Sequence, residues 1–253
     1  MLAGIDIGSR SIELVVLDGG AVVHRARAAT TFDPLGQARR VLCAAPGKLD
    51  LLVATGYGRG LVEGAGLGLP VRTLTEIKAY GLGAHHLYPE ARTVLDIGGQ
   101  DTKAIALLPD GKVGRFEMND RCAAGTGKFL EFMATAFQVP IEEFGAFACR
   151  GEGNVQIGSM CTVFAETEAT SLMARGERPE NIALALHRAV AKRTLSMLGR
   201  VGLAFPLLFA GGVARNPCMV RLLREALPGE ILAPEEPDTV GALGAALWGA
   251  RQA

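Results

Sequence analysis

The sequence predicts an α/β fold made of two duplicated halves. Three observations carry that prediction. A strand ending in Asp-Ile-Gly occurs twice, with Asp96 lying 90 residues after Asp6 (96 minus 6). Each copy continues as strand, glycine turn, strand. Helix-forming segments follow each copy, so strands and helices alternate as in packed α/β layers.

In chain order, Leu2 to Ser9 reads as a strand and tight turn, Ser11 to Asp18 as a second strand and Ala21 to Ala28 as a third, with Gly19-Gly20 as the hairpin. Pro34 to Ala45 and Glu76 to Leu87 read as helices around a buried strand, Leu49 to Thr55. The second copy gives strands over Thr93 to Gln100, Asp101 to Leu108 and Lys112 to Glu117, with Pro109-Asp110-Gly111 as the turn. Helices follow at Gly127 to Phe137, Val163 to Arg175 and Pro179 to Arg200, the last with an apolar stripe through Ile182, Leu186, Val190 and Leu198. Leu207 to Ala210 is a strand breaking into Gly211-Gly212; Val213 to Ala226 is expected as one helix and Thr239 to Trp248 as the last. The first domain is expected to hold residues 1–90 plus the returning segment 236–253, and the second residues 91–235.

Composition excludes several classes. Lys plus Arg and Asp plus Glu are 26 each, so no charge excess points to nucleic acid or an anionic membrane. No apolar run approaches the roughly 20 residues of a membrane span. The five cysteines are scattered and odd in number, which fits a reducing cytoplasm rather than a disulfide framework.

The duplicated turns predict a nucleotide. Glycine lets backbone N–H groups approach an anion closely, so Gly8, Ser9 and Arg10 in one turn and Gly98, Gly99, Gln100 and Asp101 in the other would clamp a polyphosphate. Asp6 and Asp96 are hard oxygen ligands suited to Mg²⁺. Gly211, Gly212, Val213 and Asn216 leave flat backbone for a purine or ribose, and Gly241 sits among small residues near the same ligand. A third run, Gly125-Thr126-Gly127-Lys128, opens a helix whose free N–H groups would suit phosphate. It lies beside Cys122, which the same field would favour as a thiolate.

Cys122 and Cys161 each precede a helical stretch, 39 residues apart (161 minus 122). A [4Fe–4S] cluster takes four thiolates, so two such cysteines would serve one only across a two-fold axis. Zinc, also a four-cysteine ion, and two unrelated core thiols are the competing readings. Cys43 reads as a packing residue, Cys149 and Cys218 as structural.

Asp6-Ile7-Gly8-Ser9, Asp96 to Asp101 and Gly211 to Ala214 resemble the actin/hexokinase/Hsp70 ATPase superfamily. Ala54 to Arg59, Thr75-Glu76-Ile77, Met118 to Gly127 and Cys161 to Glu168 are similar to the activators of 2-hydroxyacyl-CoA dehydratases, over the whole chain. The resemblance implies an actin-like fold around a nucleotide cleft and an ATP-dependent one-electron donor. It also implies a homodimer with one [4Fe–4S] cluster held by Cys122 and Cys161 of both subunits. Asp6 and Asp96 would hold Mg²⁺ beside ATP or ADP, with Gln100 orienting the attacking water. The partner would be a CoA-ester dehydratase or reductase, and the reductant a ferredoxin or flavodoxin. The resemblance implies Lys where this chain has Glu13; Arg10, Lys103 and Lys128 are the candidates to supply the positive charge instead. The alternatives are a sugar or acyl kinase of the same fold and an actin-like assembly protein.

Overall fold

The computed structural model describes residues 1–158 and 161–252; Ser159, Met160 and Ala253, the last residue of the expected returning segment, lie outside them. β1 (Leu2–Ile7), β2 (Ser11–Asp18), β3 (Ala21–Ala29), β4 (Leu51–Thr55) and β5 (Val71–Thr73) form one sheet in the order β3-β2-β1-β4-β5. β6 (Thr93–Ile97), β7 (Thr102–Leu107), β8 (Val113–Asn119), β9 (Leu207–Ala210) and β10 (Ile231–Leu232) form the other in the order β10-β9-β6-β7-β8. The two orders are the same topology used twice. In each sheet the central strand pairs antiparallel with the next in sequence and parallel with the strand that follows a crossover. β5 and β10 are too short for the periodicity of the sequence to mark.

Helices α1 (Pro34–Cys43), α2 (Glu76–Leu87), α3 (Gly127–Ala136), α4 (Ile141–Cys149), α5 (Thr162–Ala174), α6 (Pro179–Val201), α7 (Pro217–Ala226) and α8 (Val240–Ala250) complete the fold. α1 starts where Asp33 accepts from the Gly36 N–H and Pro34 presets the first turn. It buries Ala38 and Val41, whereas Cys43 is exposed. The expectation that Cys43 packs in the core is therefore corrected: it lies off the buried stripe at the helix end. α6 buries Ile182, Leu186, Val190 and Leu198 and ends at Gly202, whose φ of 83° closes the left-handed cap.

The expected single helix from Val213 to Ala226 is two pieces. A 3₁₀ turn covers Gly212–Arg215, and Asn216 then caps a new helix whose first residue is Pro217. Proline in a helix interior would lose a hydrogen bond and clash with the preceding turn, but at the first position it costs neither.

Two helices fill the space between the sheets. α2 sets Tyr80 and Ala84 against Val94, Ile105 and Leu208 of the second sheet. α8 sets Ala242, Leu243 and Ala246 against Val15 and Leu17 of the first. They meet at Gly83 and Gly244, where a Cβ on either would run into the backbone of the other helix. This crossing brings both sheets to one cleft.

Candidate functional site

The cleft opens at the ends of the two central strands. The β1–β2 turn closes with the Gly8 N–H donating to the Ser11 carbonyl at 3.0 Å, and the β6–β7 turn with the Gly98 N–H donating to the Asp101 carbonyl at 3.0 Å. Behind each turn a glycine at positive φ, Gly56 (91°) and Gly211 (80°), leaves room for the aspartate: a Cβ on Gly56 would meet Asp6, and one on Gly211 would meet Asp96. Gly241 clears the other side of Asp6.

Between the turns lies a cavity of about 250 Å³. Asp6, Gly8, Ser9, Arg10, Asp96, Gly98, Gly99, Gln100, Asp101, Gly211 and Gly212 line it. It thus unites most of the residues singled out in the sequence. Among the lining residues Arg10, Arg59 and Lys103 are the cations, against the carboxyl groups of Asp6, Glu13, Glu76, Asp96, Asp101, Asp120 and Asp238. An acidic pocket of this kind accepts a polyanion only together with a cation. Mg²⁺ fits: the donors are hard carboxylates, and Asp96 Oδ1 is buried without a hydrogen-bond partner. Burial raises Asp6 well above its ordinary value, helped by Glu76 and Glu13, and burial also raises Asp96.

Two residues at equivalent places carry opposite charge. Glu13 is the cross-strand partner of Asp6, and Lys103 that of Asp96. The offset of 90 residues that relates the aspartates also relates these two (103 minus 13). Lys103 is not a surface lysine. It is 2% exposed, and its Nζ lies 3.0 Å from Asp96, 2.7 Å from Asp101 and 2.6 Å from Glu76. Burial works against its charge, but those three carboxylates outweigh burial and hold it well above the usual lysine value. Glu13 is 4% exposed, and burial pushes its carboxyl up to about 7. Its counter-charge comes from the next strand: Arg27 Nε is 3.3 Å from Glu13, and Arg27 Nη1 is 2.9 Å from Asp238. The 90-residue offset was a signal present in the sequence for the burial of Lys103.

Four expectations shift. The helix start at Gly127-Lys128 does not offer its N–H groups to phosphate. The Gly127 N–H donates to the Gly98 carbonyl at 2.8 Å and the Lys128 N–H to the Gly99 carbonyl at 2.7 Å. Thr126 Oγ1 donates to the Ala123 carbonyl, and the Gly125 carbonyl accepts from Thr102 Oγ1. The segment Gly125 to Lys128 is a strut bonded to the second turn, and none of its residues lines the cavity. Asn216 is likewise used internally. Its Oδ1 accepts from the Cys218 and Met219 N–H groups, and its Nδ2 donates to His187 Nε2 at 3.0 Å. Val213 is buried and outside the cavity lining, and Gly241 acts by clearing Asp6.

His187 was not foreseen. Its Nδ1 donates to the Ala183 carbonyl at 2.7 Å, so its Nε2 is the acceptor that holds Asn216. Burial lowers it from 6.5 to about 4. Between those values the unfolded chain binds a proton that the native chain does not, so stability falls as pH drops through this window. The His187 contribution alone is a loss of about 2 kcal/mol between pH 7 and pH 5. The raised carboxyl groups of Glu13, Asp6 and Asp96 work in the opposite direction. The measurement is therefore the difference in urea unfolding between wild type and His187→Gln, which is expected to change by about that amount across this window.

Cys122 and Cys161 are exposed free thiols. Cys161 caps the start of α5, while Cys122 lies in the loop that leads to α3. Large apolar side chains are exposed on the elements that flank them in the chain: Phe116 and Met118 on β8, Phe132 on α3, and Val163 and Phe164 just after Cys161. A second cavity, of about 670 Å³, is lined by Cys122 together with Lys192, Arg193 and Arg200. Among the described residues no group of three or more His, Cys, Asp or Glu could hold a metal ion. Two exposed soft sulfur donors, one of them beside cationic side chains, fit an anionic iron–sulfur cluster only if a second chain completes the set. Cys149 is half-buried and Cys218 is buried, the latter raised by burial and by Cys149.

The two like sheets, the crossed helices and the paired Asp-Gly turns define an actin-like ATPase. The fold alone is shared with a ROK family glucokinase from Streptomyces griseus, at 16% identity and a TM-score of 0.62, covering 100% of this chain and 99% of that one. The chain belongs to the BadF/BadG/BcrA/BcrD ATPase family, which it matches over residues 3–249. It is similar to component A of the (R)-2-hydroxyglutaryl-CoA dehydratase of Acidaminococcus fermentans, with 35% identity, a TM-score of 0.92, and 99% and 98% of the two chains covered. It is also similar to the activator of the 2-hydroxyisocaproyl-CoA dehydratase from Clostridium difficile with bound ADPNP, at 35% identity, a TM-score of 0.90, and 99% and 94% coverage. No helix among the described residues is long and apolar enough to cross a membrane.

Proposed function

We propose that this ATPase is the activator of a CoA-ester dehydratase, using ATP to drive one electron at low potential from a cluster shared by two copies of the chain. The observation that carries the reading is the pair of hydrogen bonds from Gly127 and Lys128 to the carbonyls of Gly98 and Gly99. They tie the second phosphate turn to the segment that bears Cys122. A phosphate that moves the turn moves the thiol with it.

In this reading the amides of the two turns other than those of Gly8 and Gly98, which close the turns, hold the phosphates of ATP, and the Gly211-Gly212 backbone lies against the nucleoside. Asp6 and Asp96 would hold Mg²⁺, which would neutralise charge on the phosphates. Gln100, exposed at the tip of the second turn, orients the attacking water without being a strong base. Cys122 and Cys161 of two copies would ligate a [4Fe–4S] cluster, which supplies a one-electron couple. The exposed apolar side chains of Val163 and Phe164, which follow Cys161 in the chain, support a buried interface there. The similarity to two dehydratase activators supports a dehydratase as the partner; a ferredoxin or flavodoxin would reload the cluster in the cytoplasm.

Purified under anaerobic conditions, the protein is expected to be a brown dimer with about four iron atoms per two chains. Cys161→Ser is expected to lose the iron and the colour while still binding ADP. A colourless, iron-free dimer from wild-type cells would sink the redox half of the reading and leave the ATPase half standing.

A further inference from the structure

Arg10 does not stay in its own half of the molecule. It sits at the tip of the first turn and lines the nucleotide cavity, yet its guanidinium pairs with Glu131 on α3, in the other half. On the way it passes over the second turn. A Cβ on Gly99 would collide with the Arg10 side chain and would come within 3.0 Å of Ser9 Oγ. The stem of Arg10 therefore crosses the space between the two turns, where the phosphates of a nucleotide would lie. Glu131 also receives Lys128 at 3.3 Å. α3 is thus held from both sides: by backbone bonds to the second turn and by Arg10 to the first.

The pair is built to be exchanged. Its side chains are 48% and 24% exposed, and an ion pair so open to water contributes little. A polyphosphate carries several charges and offers guanidinium the bidentate geometry it prefers. It enters where the Arg10 stem already lies.

We propose that Arg10 is a positioning residue that changes partner. In the arrangement seen here it holds Glu131, and when nucleotide binds it takes the phosphates and releases α3 from the first half. α3 and the Cys122 loop then follow the second turn alone. The inference rests on the reading of the two turns as the phosphate site, and it adds Glu131 as the group that phosphate must displace.

Calorimetric titration of the anaerobic dimer with MgADP tests it. Glu131→Gln removes the competitor, so ADP is expected to bind about three-fold tighter, with the KM for ATP falling by a similar factor and kcat unchanged. Arg10→Ala is expected to weaken ADP about ten-fold or more, and Arg10→Lys to recover part of the loss. In Arg10→Ala/Glu131→Gln the gain from the second change is expected to vanish, because no arginine remains to release. A Glu131→Gln protein that binds ADP no tighter than wild type, or a double variant in which the two effects simply add, overturns the exchange and leaves the phosphate site intact. Arg10→Ala binding ADP as well as wild type overturns it too. A wild-type protein that binds no nucleotide overturns the exchange together with the reading beneath it.

Discussion

Lys103→Met is expected to lower the unfolding free energy by about 3–5 kcal/mol, the usual cost of removing one partner from a buried ionic cluster. The reason is the imbalance left behind. Asp96, Asp101 and Glu76 converge on one ammonium, itself 2% exposed. With a thioether in its place, three carboxylates stand at close quarters in a buried setting. Urea unfolding checks the loss, with an unchanged denaturant slope showing that the native state keeps its compactness. Lys103→Met/Asp96→Asn is expected to recover a large part of it, since the second change removes one of the stranded charges. A single variant within about 1 kcal/mol of wild type would mean that the cluster is not held by Lys103.

Gln100→Ala is expected to slow ATP hydrolysis by about 10²-fold or more, the scale of losing one group that orients or stabilises the reacting atoms. ADP affinity is expected to stay within about three-fold of wild type. The separation follows from position. Gln100 lines the cavity at the exposed tip of its turn, while the Gly98 and Gly99 carbonyls that brace the turn are bonded to Gly127 and Lys128 and do not use the glutamine side chain. Single-turnover hydrolysis set beside calorimetric ADP binding distinguishes the two effects. Equal loss of both would make Gln100 a binding residue instead.

Much of the architecture was legible because the chain states it twice. Asp6-Ile7-Gly8 and Asp96-Ile97-Gly98 mark the same strand-and-turn unit, and the structure gives both sheets one strand order around it. What the sequence hid were the local uses of groups with more than one possible partner. The Gly127 and Lys128 amides read as an anion site because a helix start has unpaired donors, but the chain supplies its own acceptors in Gly98 and Gly99. Asn216 read as a ligand residue, yet Asn followed by Pro217 is also a helix-start signature, and the structure uses it so. Cys43 lies among apolar neighbours in sequence, but the buried stripe of α1 runs through Ala38 and Val41 and misses it. No composition rule assigns a lysine to the interior; only the repeat links Lys103 to a cleft position.

The opposite charges of Glu13 and Lys103 have a consequence for how a ligand sits. A cleft formed by two copies of one motif has a near two-fold relation between its walls, and such a cleft offers an elongated ligand two orientations, head to tail or reversed. Were both positions lysine, the two poses would meet similar potentials. Here one wall sets Asp6 beside Glu13 and the other sets Asp96 beside Lys103. The two walls therefore present different charges to a ligand, one ammonium among three carboxylates on one side and Asp6 with Glu13 on the other, so the two poses are not equivalent. The broken repeat gives the cleft a direction.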